Sequence, residues 1–462
     1  MNLIKIIFAI TSLVLYWQAP SIYNQGFCLV CMLLFIVESL ILLVPDFKKK
    51  EFFTFNLFFL FCMFWVSFAY PAFIHETAAA WLGVVSEHIN WDVLSKATAL
   101  SLVFVSFYSL GYKKTKMRIT FNSFYYPGSA IGSSKRWLII LFFLLMVSAV
   151  IFLNRVGWDN AGVDTYQFLY DFFYVFIILS VLLPSKKKPS ENGSLLQFIK
   201  NNKLVLTVTG IFILFYLVIG DRGPIIRVVL ILFMLYYRYN SRVKFSRILI
   251  VGFLGIVLMF FVRQTREYSD TSLVNNGLSA VSNSRVFDFG ERGAVYMFAD
   301  LFGIERELCA GYDYVSKYGI TNTEKLLILP TYAIPFLPTI VLAPFGLKTD
   351  DYATGYVLNK YLSEYDPKFG THIVIDLYMC FGLFGVIIFA LLLGRLISML
   401  YWRQGKSLYW TAAYIILFSF AIYLPRDSMF DLIRPLSLTF LTIYFFKNSI
   451  KSSNQKLVVS HD

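Results

Sequence analysis

Twelve stretches of mostly apolar residues run through this 462-residue chain, and they constrain its fold more than any other feature. A helix that crosses a bilayer needs about 17–25 such residues. The stretches lie at 2–18, 25–45, 52–71, 94–112, 137–154, 165–184, 203–220, 225–239, 247–263, 373–398, 409–424 and 430–446. Hydrophobic residues make up 58% of the chain and charged residues only 15%. The pattern predicts an all-α polytopic membrane protein with about 12 transmembrane helices.

Lysine and arginine are concentrated in every second loop between these stretches. The basic loops carry, in chain order, Lys48–Lys50, Lys113–Arg136, Lys186–Lys200, Arg238–Arg247, Arg403 with Lys406, and Lys447–Lys456. Cytoplasmic loops of membrane proteins are enriched in these residues. We therefore expect both termini in the cytoplasm. The formal net charge of +13 is explained by this distribution, so we expect no nucleic-acid partner.

The longest interruption separates the ninth and tenth stretches, and the loop order places it outside. Residues 264–372 carry charges of both signs, and long loops cross the membrane regardless of charge. Within them, 326–346 is apolar but contains Pro330, Pro335, Pro338 and Pro344. Because four prolines disfavour a continuous helix, we expect a re-entrant or interfacial segment. We treat residues 1–462 as a single integral membrane domain with one large external loop.

The sequence Gly220-Asp221-Arg222-Gly223-Pro224 lies between two apolar stretches on the predicted outer face. An arginine near lipid is costly unless an anion meets it, and its planar fork suits phosphate. We expect Gly223 to permit an unusual backbone and Pro224 to begin the next helix, whose N-terminus favours an anion. The alternative is a capped turn in which Asp221 pairs with Arg222.

Further arginines occur at two other external positions. Arg263 and Arg266 follow the ninth stretch and share a face if the helix continues. Arg426 lies between the last two stretches, followed by Asp427, Asp431 and Arg434 at spacings of four and three. We therefore expect those last three residues on one helix face. They form either a structural ion-pair network or part of an anion site.

Two residues near the start of the tenth stretch are candidate general bases. His372 precedes that stretch and can titrate near neutral pH, and Asp376 lies one turn inside it. A structural role for a lone histidine at a membrane interface is the alternative. The chain has no Walker A motif, no dinucleotide-binding sequence and no cluster of metal-ligand spacing. We therefore expect neither a cofactor nor a metal.

The order of these motifs resembles the Wzy-type polymerases of O-antigen, capsule or common-antigen repeat units. The resemblance rests on Gly220–Gly223, on Arg263–Glu267, on the external loop with its prolines, on Lys368–His372 before Gly382–Gly385, and on Arg426-Asp427. It covers most of residues 205–440. The first 200 residues match only in being apolar.

The resemblance implies a GT-C-like, metal-independent glycosyltransferase in the bacterial cytoplasmic (inner) membrane, with its active site facing outward. It implies a glycan donor and a repeat-unit acceptor, both linked to undecaprenyl pyrophosphate, and a Wzz-type chain-length co-polymerase as partner. Arg222, Arg263, Arg266, Arg426 and Arg434 would bind pyrophosphate, supported by Asp221, Gly223, Asp427 and Asp431. His372 or Asp376 would act as base. The alternatives are an O-antigen ligase using the same donor, or a flippase or transporter for the same lipid.

Overall fold

The computed structural model describes most of the predicted apolar stretches as helices. The described residues are 2–48, 51, 53–75, 89–113, 128–155, 163–183, 195–219, 222–239, 305–321, 323, 325, 333, 337, 344, 354–362 and 370–459. Within these ranges every regular element is helical and there is no strand. The predicted all-α class is therefore confirmed for these residues.

Fourteen α-helices are present in the described ranges. They are α1 (Asn2–Gln18), α2 (Gln25–Lys48), α3 (Phe55–Phe64), α4 (Leu94–Gly111), α5 (Gly128–Arg155), α6 (Val163–Leu182), α7 (Leu195–Asn201), α8 (Lys203–Ile219), α9 (Arg222–Tyr239), α10 (Glu305–Tyr318), α11 (Thr354–Tyr361), α12 (Ile373–Arg403), α13 (Leu408–Ser419) and α14 (Ile433–Val459). Helices α10 and α11 belong to the predicted external loop, which therefore contains regular structure. The proline-containing segment 326–346 lies outside the described residues except for three single positions.

Within the described residues, six helical segments are long and apolar enough to cross a membrane. They are Gln25–Lys48, Phe55–Ile74, Trp91–Gly111, Ile131–Ser148, Ile373–Arg403 and Met429–Phe446. The pair Leu195–Asn201 and Lys203–Leu217, bent by 91°, would make a seventh. Four further predicted spans form shorter apolar helices, and the stretch 247–263 lies outside the described residues. Twelve spans therefore stay a prediction.

The chain divides into two compact units. The first unit comprises Met1–Met117, Gly290–Trp402 and Phe420–Ile433. The second comprises Arg118–Phe289, Arg403–Ser419 and Arg434–Asp462. His372, Asp376 and Arg426 belong to the first unit, whereas Arg222 and Arg434 belong to the second.

Two glycines let α4 and α12 pack closely inside the first unit. A Cβ atom added at Gly394 would overlap the carbonyl oxygen of Tyr108, and one added at Gly111 would overlap that of Leu391. Small residues permit this close approach of the two backbones. Within a bilayer the hydrophobic effect does not bring helices together, and such van der Waals packing does. This close packing fixes the position of α12 against α4.

The third helix changes character at the level of the predicted outer face. After α3 the chain continues from Trp65 to Ile74 as a π-helix that contains Pro71. Pi-helical turns carry an extra residue per turn and are frequent at functional sites. Here the π segment buries Ser67 and Tyr70 within the first unit.

Two local predictions were wrong, because α14 begins later in the chain than expected and α9 begins earlier. The backbone of Asp427 is extended, with φ −129° and ψ 173°, and a short 3-10 turn at Met429–Leu432 precedes α14. Asp427 therefore does not share a helix face with Arg434. Gly223 lies inside the first turn of α9 rather than in an unusual backbone conformation, although Pro224 does occupy that first turn as predicted.

Candidate functional site

Four short segments of the first unit carry several of its enclosed or half-buried titratable residues. These are the first turn of α10, the segment 370–372 that leads into α12, the 3-10 turn Leu424–Arg426, and the π segment Trp65–Ile74. One link between them is direct, because the amide of Gly370 donates a hydrogen bond to Glu307 Oε1 at 2.9 Å. The predicted Gly-Thr-His motif is thus tied to a carboxylate of the external loop.

His372 is completely enclosed, with 0% of its surface exposed. The amide of Val374 donates to Nδ1 at 3.2 Å, so the neutral ring carries its proton on Nε2. That nitrogen donates to Ser67 Oγ at 3.0 Å. Burial lowers the pKa of His372 to about 3, because a charged imidazole would lose its hydration. This environment holds the ring neutral, and its catalytic role stays a prediction.

Asp376 is also enclosed, but its carboxylate is fully partnered. Ser428 Oγ donates to Oδ2 at 2.6 Å, and Thr354 Oγ1 donates to Oδ1 at 2.5 Å. The ammonium group of Lys325 forms an ion pair with the same Oδ1. Its position in the first turn of α12 adds the favourable helix dipole. Asp376 therefore anchors two points of the external loop, Lys325 and Thr354, to a membrane helix.

Lys325 is the counter-ion of this anchor. Burial alone would lower the pKa of Lys325, but the nearby Asp376 carboxylate outweighs it and the net change is upward. Its ammonium group also lies 5.2 Å from the centre of the Phe430 ring. A cation over an aromatic face in a desolvated site gains further stabilisation. Lys325 thus stays charged inside the protein.

Glu305, the first residue of α10, differs sharply from Asp376. Its side chain is 0% exposed, and among the described residues neither Oε1 nor Oε2 has a hydrogen-bond partner. Its own amide influences the carboxyl but forms no hydrogen bond with either oxygen. Burial raises the pKa of Glu305 well above its usual value; its own amide opposes this rise, the carboxyl of Glu307 adds to it, and Arg426 opposes it.

Arg426 ends the 3-10 turn Leu424–Arg426 and is half-buried. Its guanidinium lies close enough to interact electrostatically with both Glu305 and Glu307. In the part of the chain that the structure describes, it nevertheless forms no ion pair with either carboxylate. An arginine that lies near carboxylates without forming an ion pair keeps its N–H donors available to another anion.

Arg434 belongs to the second unit and has a structural partner. Its Nε donates to Asp171 Oδ2 at 2.8 Å, and the two side chains are 8% and 2% exposed. Arg227 of α9 also interacts with the charge of Asp171. The pair joins α6 to α14, which satisfies an arginine placed in an apolar helix. Its proposed contact with pyrophosphate stays a prediction.

The remaining predicted ligands are described only partly or not at all. The backbone of Arg222 begins α9, whereas Asp221, Arg263 and Arg266 lie outside the described residues. Asp427 and Asp431 are half-buried in the segment between α13 and α14. The prediction missed Glu305, Glu307 and Lys325, because isolated charges in a long loop carry no signal of burial.

Comparison with known proteins identifies the family. No curated protein and no solved structure matches the chain. Residues 1–454 match the family described as O-antigen polysaccharide polymerase Wzy. That match covers nearly all of the 462 residues, including the first 200, where the motifs alone had indicated only apolar helices. Such proteins act on lipid-linked oligosaccharide repeat units in the membrane. The chain therefore belongs to the Wzy family of O-antigen polysaccharide polymerases.

Proposed function

We propose that this protein polymerises repeat units linked to undecaprenyl pyrophosphate on the outer face of the cytoplasmic membrane. The growing glycan is transferred from its carrier to a new lipid-linked unit. The acceptor hydroxyl attacks the anomeric carbon of the donor, and the pyrophosphate leaves with the bonding electrons. No metal takes part, so the protein's own cations must stabilise the leaving charge.

The observation that carries this proposal is the arrangement of Arg426. Its guanidinium is held by a short turn near the carboxyl groups of Glu305 and Glu307, and it forms no ion pair with any residue that the structure describes. A planar guanidinium binds phosphate oxygens through two parallel hydrogen bonds. Arg426 therefore has the chemistry and the available donors that a leaving pyrophosphate requires.

Arg222, Arg263 and Arg266 are proposed as further pyrophosphate ligands. Both donor and acceptor carry a pyrophosphate, so the reaction brings two strongly anionic groups to one protein. Arg222 starts α9, and a helix N-terminus adds a favourable partial charge and free amides. A Wzz-type co-polymerase is the partner that we propose for control of chain length.

The acceptor hydroxyl also needs a base, and His372 and Asp376 are the candidates from the sequence. His372 can accept a proton only at Nδ1, which holds the amide of Val374. The carboxylate of Asp376 already accepts hydrogen bonds from three donors, two on Oδ1 and one on Oδ2. Either role requires these bonds to open during the reaction.

Gene deletion in the native host tests the proposal directly. Surface polysaccharide from the deletion strain should show single repeat units on the anchor and no ladder. Wild type should restore the ladder, and Arg426→Ala and Arg222→Ala should not, at equal amounts in the membrane. A ladder that accumulates on the carrier lipid would indicate a ligase instead. Loss of all external glycan, single units included, would indicate a flippase.

A further inference from the structure

We propose that Glu305 is the general base that takes the proton from the acceptor hydroxyl. The proposal rests on the proposed function and adds a residue to that reaction. It starts from the first turn of α10, where a carboxyl group is buried at 0% exposure and neither oxygen accepts a hydrogen bond within the described part of the chain.

An unpartnered buried carboxyl is costly to the fold. Leaving a buried polar group without a hydrogen bond costs about 1–3 kcal/mol, and more for a charged group. Glu307, two residues away, has the amide of Gly370 on one oxygen, and Asp376 has three donors. Glu305 has no such donor in the described ranges, so its carboxyl forms no hydrogen bond there that holds the first unit together. A sugar hydroxyl is a donor of the kind that either oxygen can accept.

Among the described residues, the titratable groups that interact with Glu305 belong to three elements. Glu307 and Cys309 share its helix, Cys62 and Tyr70 lie on the span Phe55–Ile74, and Arg426 lies on the turn Leu424–Arg426. Arg426 is the one cation in this set. Because Arg426 interacts with the carboxyl, a pyrophosphate bound by the arginine would be near the group that accepts the proton. Base and leaving-group stabiliser thus belong to the same charge cluster.

The reaction balances with these two side chains and the two substrates. The ionised carboxylate of Glu305 takes the proton from the acceptor O–H as that oxygen bonds to the anomeric carbon of the donor. The bond between that carbon and the pyrophosphate oxygen breaks, and its electron pair stays on the pyrophosphate beside Arg426. The products are the extended lipid-linked chain, free undecaprenyl pyrophosphate and protonated Glu305. Because the carboxyl is enclosed, the acceptor reaches it only when neighbouring side chains separate.

The test uses purified full-length protein in liposomes and the lipid-linked repeat unit extracted from the deletion strain. We expect Glu305→Gln to lower kcat at least about 100-fold, which is typical for loss of a general base, with little change in KM. Glu305→Asp should keep part of the activity. For wild type, kcat/KM should rise with pH through the raised pKa of Glu305, since only the ionised form accepts a proton. Formate should restore activity to Glu305→Ala and not to Glu307→Ala.

Glu38→Gln is the matched control. Glu38 is another buried carboxyl of the first unit with one unpartnered oxygen, and Ser106 donates to its other oxygen at 2.7 Å. The Glu38→Gln variant should form polymer at the wild-type rate. No polymer from wild type would overturn the proposed function itself. Polymer from wild type together with Glu305→Gln activity within about threefold of it would overturn only the role of Glu305. Should Glu305→Gln fail to reach the membrane, the pH profile of Glu305→Asp and formate rescue decide the question, and absence of both overturns the role.

Discussion

Asp376 and Glu305 are two buried carboxyl groups of the same unit, each in the first turn of a helix, yet their surroundings are opposite. Asp376 accepts from Lys325, Thr354 and Ser428, so every part of its charge is compensated. In the described part of the chain Glu305 accepts no hydrogen bond, and the opposite charge that acts on it is that of the more distant Arg426. A site optimised for folding resembles the first arrangement. The second arrangement lowers the stability of the fold, and proteins retain such an arrangement where a ligand supplies the missing partner.

The comparison separates two kinds of buried charge in this protein. Asp376 fastens the external loop to α12, so its loss should damage the structure. No hydrogen bond among the described residues ties the Glu305 carboxyl to another element, so its loss should lower the reaction rate rather than the stability. Each variant below tests one side of that distinction.

Asp376→Ala should have the largest effect. It leaves the ammonium of Lys325 buried without its partner, which costs about 3–5 kcal/mol. We expect a large fall in the unfolding temperature of the detergent-solubilised protein and little folded protein in the membrane. Thermal unfolding followed by size-exclusion chromatography measures this. A variant that is folded as well as wild type but inactive would assign Asp376 to catalysis and remove the contrast.

Arg426→Ala should lower the rate of polymerisation by about 100-fold or more, because it removes a donor aimed at the leaving charge. Its unfolding temperature should change little, since Arg426 forms no ion pair in the described part of the chain. Arg426→Lys should recover only part of the rate, because lysine lacks the planar fork. Equal activity of all three proteins in liposomes would exclude Arg426 from the reaction.

His372→Gln tests whether the enclosed histidine belongs with Asp376 or with Glu305. We expect kcat to fall less than about tenfold, whereas a general base would cost about 10²–10⁴-fold. The histidine pKa is 6.5 in the unfolded chain and lowered to about 3 by burial. The unfolded state therefore binds a proton first, and the free energy of unfolding falls as the pH drops below 6.5, by up to about 1.4 kcal/mol per unit.

That slope is the signature to measure by thermal unfolding between pH 7 and pH 5. His372→Gln should reduce the slope relative to wild type. An unchanged slope would mean that the ring is not held neutral in the folded protein.

Ser67→Ala should have the smallest effect. It removes the acceptor of the His372 Nε2 proton, which costs about 1 kcal/mol of stability in a buried site. The polymerisation rate should stay within about twofold of wild type. A loss of activity as large as that of Arg426→Ala would place the Ser67–His372 pair in the reaction instead.

The sequence predicts much of this fold and part of the site for identifiable reasons. Length and apolarity predicted helices such as α2 and α12, since a bilayer requires them. Pro224 marked the first turn of α9 correctly. The segment around Asp427 was predicted wrongly, because side-chain spacing does not reveal where a helix begins.

His372, Asp376 and Arg426 were identified as special because charged or titratable residues beside apolar stretches are unusual. Their partners were not predicted. Lys325 lies 51 residues from Asp376, and Ser67 lies 305 residues from His372, so only the folded chain brings them together. Glu305 gave no signal, because a glutamate in a long polar segment is expected to be solvated rather than enclosed.

The most direct test of the account is the stability of Glu305→Met measured beside its activity. Replacing an unpartnered carboxyl by an apolar side chain of similar size should leave the unfolding temperature unchanged or raise it, while polymer formation is lost. Asp376→Leu in the same assay should lower the unfolding temperature by several degrees. A fall for Glu305→Met as large as that for Asp376→Leu would show that both carboxyls serve the fold, and would contradict the account.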